Sequence, residues 1–270
     1  MRMILYKAAA FIRRDFVIDI SYRFAFAFNL LTALFPIFSV FFIARLVDAS
    51  RPEVLGAYGG GYFPFALIGV ALSEYFVVAL RTFAGSIQRS QLEGCLEATL
   101  STRTRPEMVV ICSSIYTFGS KTVHVLLALI GGLLLGARYC PAGIPAALII
   151  LVLTVAAFSG LGILSAAFML VFKKGQPIAW LMGSLNSLLG GALFPVAILP
   201  GWLKCVSAVL PMTYSLEAVR LAALRGHSLW ELRGHVLALL AMASVLIPLG
   251  VFCFAKAVHK GRRDGSLMQY

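Results

Sequence analysis

The sequence predicts an all-α integral membrane protein with six transmembrane helices, and three observations support that prediction. The composition is 60% hydrophobic and only 13% charged, whereas soluble domains carry about 25% charged residues. Several runs reach the roughly 20 apolar residues that a transmembrane helix requires. The short alternating segments that are typical of a membrane β-barrel are absent. We therefore expect residues 1–270 to form a single transmembrane domain, with almost no chain left for a soluble one.

The six predicted spans are apolar runs that contain very few charges. Glu74 is the only charge between residues 54 and 80, and Lys121, close to His124, is the only one between 108 and 137. An unpaired charge in hydrocarbon costs about 2.5–3.5 kcal/mol on insertion scales, so these two side chains need an explanation. The spans are expected at residues 24–44, 58–84, 107–137, 144–172, 177–199 and 234–257.

Glu74 and Lys121 allow three interpretations. They could pair with each other between spans two and three, or Glu74 could pair with Arg81 on the same helix face. The third interpretation is contact with a substrate at an interface between subunits. His124 is expected to pack or to hydrogen-bond between helices, because no chain of acidic and histidine side chains suggests a proton relay.

The distribution of Lys and Arg indicates that both termini face the cytoplasm. In that orientation most of these residues fall in inner segments, as the positive-inside rule requires. A smaller group that includes Arg45, Arg138 and Arg220 falls in outer segments. The net charge of +12 then reflects topology and attraction to anionic membrane lipid. No nucleic-acid partner is expected, because the basic residues form no patch interleaved with aromatic ones. We expect a multi-pass protein of a bacterial or archaeal plasma membrane.

The cysteines are scattered, and no Cys/His spacing suggests a metal site. Of the five cysteines, only Cys140 and Cys205 could face an oxidising side, where two unpaired thiols are favoured over a bridge. We expect this chain to hold no metal and no cofactor of its own.

Residues 1–20, before the first span, are predicted to form an amphipathic helix that lies on the inner leaflet. Lys7 and Arg14 lie off its apolar stripe, as expected for a helix in the plane of the interface. The alternative is an irregular tail. The stripe repeats every fourth residue, at Ile4, Ala8, Ile12, Phe16 and Ile20.

A short charged segment between spans two and three is predicted to form a cytoplasmic helix over residues 86–103. Its central part, residues 93–102, is too polar to enter lipid and too regularly patterned for a plain loop. A membrane protein with such an element usually presents it to a partner.

Prolines divide the apolar stretch between spans five and six into pieces too short to cross a membrane. Pro195, Pro200 and Pro211 are the breaks, because proline lacks a backbone donor and cannot continue a helix. We expect re-entrant or interfacial helices over residues 200–228 on the outer side, since broken backbone at membrane depth must be buried in protein. Trp202 and Tyr214 suit the lipid interface. The alternative is an apolar external loop without function.

In these elements the chain resembles the membrane subunit of ABC-2 type exporters. The segment between spans two and three resembles the family pattern Gly-Thr-Leu-Glu-x-Leu-Leu-x-Thr-Pro, from which it departs at Cys95, Thr99 and Arg103. The matching residues there are Gly94, Leu96, Glu97, Leu100 and Thr102. The matches to the family's outer pattern are Phe194, Pro195, Leu199, Pro200, Trp202, Leu203, Leu210, Pro211, Thr213 and Tyr214.

The resemblance implies a role for each segment. The first would be a coupling helix that docks on a cytoplasmic ATPase through Glu93, Gly94, Leu96, Glu97, Leu100, Thr102 and Arg103. The second would be an outer gate formed by Phe194, Pro195, Leu199, Pro200, Trp202, Pro211 and Tyr214. The chain would not be an enzyme by itself, since it has no phosphate-binding G-x-x-x-x-G-K-[ST] motif. ATP and Mg would be held by the partner, in an assembly of two permeases, expected to be a homodimer, and two ATPases.

The function that follows is export of an amphipathic or lipidic substrate, such as a lipid, a drug or a lipid-linked glycan. Spans rich in Phe and poor in charge favour that class of substrate. An ion-coupled or passive carrier or channel is an alternative, although such carriers typically show inverted repeats and clustered intramembrane charges. A membrane sensor that is linked to an ATPase but transports nothing is the other alternative.

Overall fold

The computed structural model describes residues 2–32, 34–48, 58, 61–92, 106–172, 181, 183–186 and 189–263. All regular secondary structure in these residues is helical. Single 3₁₀ turns occur at Pro141–Gly143 and Val196–Ile198. The α-helices are α1 Arg2–Ser21, α2 Arg23–Thr32, α3 Leu34–Asp48, α4 Tyr62–Leu92, α5 Pro106–Leu134, α6 Ile144–Phe172, α7 Gly201–Val209, α8 Pro211–Arg225 and α9 Arg233–Arg263.

Four stretches of the described chain are long and apolar enough to cross a membrane, which confirms the helical membrane class. Leu34–Val47 is also apolar but shorter. The predicted span 24–44 corresponds to α2 and α3, with residue 33 outside the described residues. The count of six spans therefore stays a prediction. The four stretches are Tyr62–Gly85, Ile115–Leu134, Pro141–Phe172 and Arg233–Lys260.

The predicted fifth span, residues 177–199, ends earlier than expected. Its described residues are helical only up to Leu189, and the chain is irregular from Gly190 to Pro200 apart from one 3₁₀ turn. Gly191 adopts a φ of +80°, which a helix does not tolerate and which glycine adopts without a steric cost. Pro195 then adds a residue that has no backbone donor. A prediction from hydrophobicity alone extends the span to residue 199, because the residues after this break are apolar as well.

Helix α4 is the central helix of the bundle. In its membrane window 78% of the residues are buried, against 22% in α5 and 17% in α9. It packs against α3, α5, α6 and α8, while α9 packs mainly along α6. Gly162 permits the contact between α6 and α4, because a Cβ there would lie 2.2 Å from the carbonyl oxygen of Ala79. Small residues at helix contacts bring backbones close together in this way. The open faces of α5 and α9 are thus available to lipid or to another subunit.

The predicted amphipathic helix forms as α1, which lies against α5. The hydroxyl of Tyr116 donates a hydrogen bond to Asp19 Oδ2 at 2.6 Å and links the two helices. Ile12, Phe16 and Ile20 of the apolar stripe are 37%, 48% and 43% exposed. These side chains are therefore open to membrane lipid, and the location of the helix on the inner leaflet stays a prediction.

Candidate functional site

Each proline of the predicted outer gate stands at the start of a helical piece. Pro195 precedes the 3₁₀ turn, Pro200 is the N-cap of α7, and Pro211 is the first residue of α8. The first turn of a helix suits proline, because its missing N–H would have no partner there. Helix α7 has 9 residues and α8 has 15, so they are about 13 and 22 Å long. Neither is long enough to cross a hydrocarbon layer of about 30 Å.

Buried hydroxyl groups attach the short helices to the rest of the bundle. Ser207 of α7, which is fully buried, donates a 2.7 Å hydrogen bond to the carbonyl of Leu189. Thr213 of α8 donates to the carbonyl of Ser207 at 2.8 Å and bridges the turn between α7 and α8. The hydroxyls of Ser215 in α8 and Thr154 in α6 lie 2.9 Å apart, and both residues are fully buried. Because these polar groups are hydrogen-bonded, their burial fixes the position of the segment.

A buried arginine holds the irregular chain before the short helices. Arg220 of α8 is 2% exposed, and its guanidinium donates to three backbone carbonyls. Nη1 reaches Gly191 at 2.7 Å, Nη2 reaches Ala192 at 2.6 Å, and Nε reaches Phe65 of α4 at 3.1 Å. The Cζ atom also lies 3.5 Å from the centre of the Phe65 ring, within the range of a cation–π contact. We call these residues the Arg220 clamp.

The Arg220 clamp requires a glycine on α4. A Cβ at Gly69 would lie 1.9 Å from the carbonyl oxygen of Ala192 and 2.5 Å from Nη2 of Arg220. Any other residue would therefore collide with both the irregular chain and the guanidinium. Gly69 thus allows α4 to pass directly beside the clamp.

From the sequence, Arg220 is expected among the charges of an outer segment, and the structure shows that this charge is buried in the bundle. The signal that could have revealed its burial is the spacing in α8, since Met212, Leu216 and Arg220 follow one another every fourth residue. All three are at most 2% exposed. A charged residue in register with two core residues of a helix faces the same side as they do.

The predicted gate residues differ in how deeply they are buried, and Pro200 is exposed. Pro195 and Pro211 are buried, and they fix the backbone. Phe194, Leu199 and Tyr214 are half-buried, whereas Trp202 is 70% exposed on α7. The structure therefore brings these residues into one segment without gathering them into a single cluster. Their contacts with a second subunit, and hence their role as a gate, stay predictions.

Glu74 and Lys121 pair with each other, as the first of the three interpretations expects, and contact with a substrate stays a prediction. Nζ of Lys121 lies 3.2 Å from Oε2 of Glu74, and the two side chains are 27% and 48% exposed. His124 is buried and its Nδ1 lies 2.9 Å from the carbonyl of Ser120, to which it donates. The pair and His124 lie on a cavity of about 180 Å³. Its other lining residues are Thr32, Pro36, Leu67, Val70, Ala71, Val125 and Ala128.

The pairing leads to a prediction for a double-mutant cycle. Lys121→Met should lower the melting temperature in lipid nanodiscs, because it leaves the Glu74 carboxylate unpaired. Adding Glu74→Gln should restore most of the loss, since neighbouring pairs show interaction energies of about 0.5–3 kcal/mol. Arg81→Met on the same helix serves as the control and should combine additively with Lys121→Met. Additive effects of the Glu74 and Lys121 changes would contradict the pairing.

The first residues of the predicted coupling helix, 86–92, form the end of α4, and the rest of it, residues 93–103, lies outside the described residues. Helix α4 ends at Leu92 and α5 begins at Pro106, so the docking residues between them have no geometry here and remain predictions. They are Glu93, Gly94, Leu96, Glu97, Leu100, Thr102 and Arg103.

Comparison with known families identifies the chain. A model of the ABC-2 type transporter family matches residues 9–224, which reach from α1 to the last turn of α8. A search of curated proteins finds no match. The match includes the clamp, the short helices and the Glu74–Lys121 pair, and it extends over far more than half of the chain. The chain therefore belongs to the ABC-2 type transporter family and is a permease, the membrane component of an ABC transporter.

Proposed function

We propose that this permease belongs to an ATP-driven exporter that moves an amphipathic or lipidic substrate out of the cytoplasm or the inner leaflet. The observation that supports this substrate class is the cavity at the Glu74–Lys121 pair. Among the described residues its wall is apolar apart from one partly exposed ion pair with His124 and Thr32 beside it. A polar headgroup could contact the pair while an apolar chain lies along the helix faces. A lipid, a drug or a lipid-linked glycan fits that description.

ATP hydrolysis in this proposal belongs to a separate subunit. Two permeases, as a homodimer, would combine with two ATPases that hold ATP and Mg. The coupling helix at residues 86–103 would face the cytoplasm together with both termini, in a bacterial or archaeal plasma membrane. The open faces of α5 and α9 leave room for the second permease and for lipid.

The experiment is co-expression of the tagged permease with candidate P-loop ATPases from the same genome, followed by reconstitution into lipid vesicles. We expect co-purification and ATP-dependent movement of a lipid or drug probe, and mass spectrometry should find bound lipid or ligand. Movement of the probe without ATP would indicate a carrier or channel instead. A stable complex that hydrolyses ATP and moves nothing would indicate a sensor.

The outer gate leads to a further prediction. Phe194 is half-buried in the irregular chain that the Arg220 clamp holds, and we propose that it meets its symmetry mate at the two-fold axis. Phe194→Cys, in a background without the native cysteines, should crosslink between permeases in the resting state. Phe194→Ala should raise basal ATPase activity or leak and leave assembly intact. Free labelling of position 194 from outside, without any crosslink, would identify an external loop.

A further inference from the structure

A second and larger cavity lies at the end of the bundle that we predict to face outside. Its volume is about 500 Å³, which is in the range of small-molecule sites. Four parts of the chain surround it: the C-terminal part of α3, the start of α4, the turn after α5, and the last turn of α8. The lining residues are Phe41, Ala44, Arg45, Gly61, Phe63, Pro64, Leu135, Gly136, Arg138, Tyr139, Cys140 and Leu224.

The charged side chains in the described part of this wall are all cationic. Arg45 and Arg138 both line the cavity and both are exposed. No carboxylate belongs to the described lining, and neither guanidinium forms an ion pair with a side chain that the structure describes. Cζ of Arg45 lies 4.9 Å from the centre of the Phe41 ring, so that guanidinium is already oriented. The wall thus offers two cations to an anion.

The backbone positions the second arginine rigidly. Helix α5 ends in a turn in which Gly136 has a φ of +95°, and the N–H of Ala137 donates to the carbonyl of Gly132 at 2.8 Å. This is the hydrogen-bond pattern of a Schellman cap. The N–H of Cys140 then donates to the carbonyl of Ala223 at 2.7 Å. Arg138 therefore lies in a segment that is anchored on both sides.

The rest of the wall and its surroundings are apolar. The rings of Phe41 and Phe63 meet edge to face with centroids 5.4 Å apart. Leu46, which follows the lining residue Arg45 in α3, is 76% exposed, and Leu134, which precedes the lining residue Leu135 at the end of α5, is 84% exposed. An acyl chain would find an apolar surface next to the two cations. That combination occurs at the depth where a bundle passes from hydrocarbon to headgroups.

We propose that this cavity binds the phosphate of an anionic phospholipid, whose acyl chains lie against the exposed ends of α3 and α5. A guanidinium can hold two phosphate oxygens with parallel hydrogen bonds, and two arginines would share the headgroup. The site is separate from the Glu74–Lys121 cavity and does not depend on the transported substrate. Its occupant is a lipid of the surrounding membrane.

The test uses the purified, delipidated full chain in micelles. Native mass spectrometry and the shift of the melting temperature would measure binding of dioctanoyl phosphatidylglycerol, dioctanoyl phosphatidylcholine and glycerol 3-phosphate. The variant is Arg45→Gln with Arg138→Gln, and the charge-matched control is Lys204→Gln with Arg233→Gln, two exposed cations outside the cavity. Melting without lipid shows that each variant is folded.

We expect the anionic lipid to bind the wild type at least tenfold more tightly than either other compound. The cavity variant should lose at least tenfold in affinity, and the control should stay within about twofold. An equal loss of lipid affinity in the control variant would show that the overall surface charge causes the effect, and it would overturn the proposed site. Equal binding of phosphatidylcholine would show apolar adsorption, and equal binding of glycerol 3-phosphate would show a free-anion site; either result overturns the lipid assignment.

Discussion

Arg220→Leu should lower the free energy of unfolding by about 3–5 kcal/mol, because it removes the buried guanidinium that donates to three buried carbonyls. Hydrogen bonds to a charged group contribute about 1.5–3 kcal/mol each, and the sum is reduced because burial of the charge itself has a cost. The three carbonyls belong to Phe65, Gly191 and Ala192. The loss should release the irregular chain from α4 and disorder the segment that we propose as the gate.

The measurement is thermal unfolding in micelles, in which a loss of this size corresponds to a shift on the order of 10 °C. Arg225→Leu is the matched control, since it lies on the same helix but is exposed, and it should cost less than about 1 kcal/mol. Arg220→Lys should be intermediate, because a single ammonium cannot reproduce the planar fork of donors. If Arg220→Leu and Arg225→Leu unfold alike, the clamp does not stabilise the fold.

Glu97→Arg should abolish substrate-stimulated ATP hydrolysis in the complex with the ATPase and leave membrane insertion intact. Glu97 lies between Arg89 and Arg103 in the predicted coupling helix. A docking surface on the ATPase that accepts this carboxylate would meet an arginine in its place, and like charges in an interface cost several kcal/mol. That cost corresponds to a loss of at least about a hundredfold in docking.

The readout is ATPase activity with and without substrate in reconstituted vesicles. Glu231→Arg is the matched control: the substitution is the same, the side chain is exposed, and we predict that it faces the opposite side of the membrane. It should leave the stimulation unchanged. Full stimulation of the Glu97→Arg complex would show that this segment does not couple the two subunits.

Much of the fold could be predicted from the sequence because it depends on local composition. The long apolar runs around Tyr62–Gly85, Pro141–Phe172 and Arg233–Lys260 are helices in the structure. Pro195, Pro200 and Pro211 stand at the start of new helical pieces. This effect is local, because a proline without an N–H cannot continue the preceding helix but fits the start of the next one. The break at Gly190 and Gly191 in the predicted fifth span was not predictable, because a run of apolar residues does not reveal a positive φ.

What the sequence by itself determined is therefore the helical membrane class, the breaks in the segment between the fifth and sixth predicted spans, and the few polar side chains that need partners. Only the tertiary structure decided which groups those polar side chains contact. Glu74 and Lys121 are separated by 47 positions, and Arg220 and Phe65 by 155. Helical periodicity shows which residues share one face of a helix. It does not show which neighbouring helix that face contacts, because packing sets the rotation of each helix. Arg220 is buried for that reason: two of the carbonyls that hold it, those of Gly191 and Ala192, belong to the irregular chain where it passes Gly69.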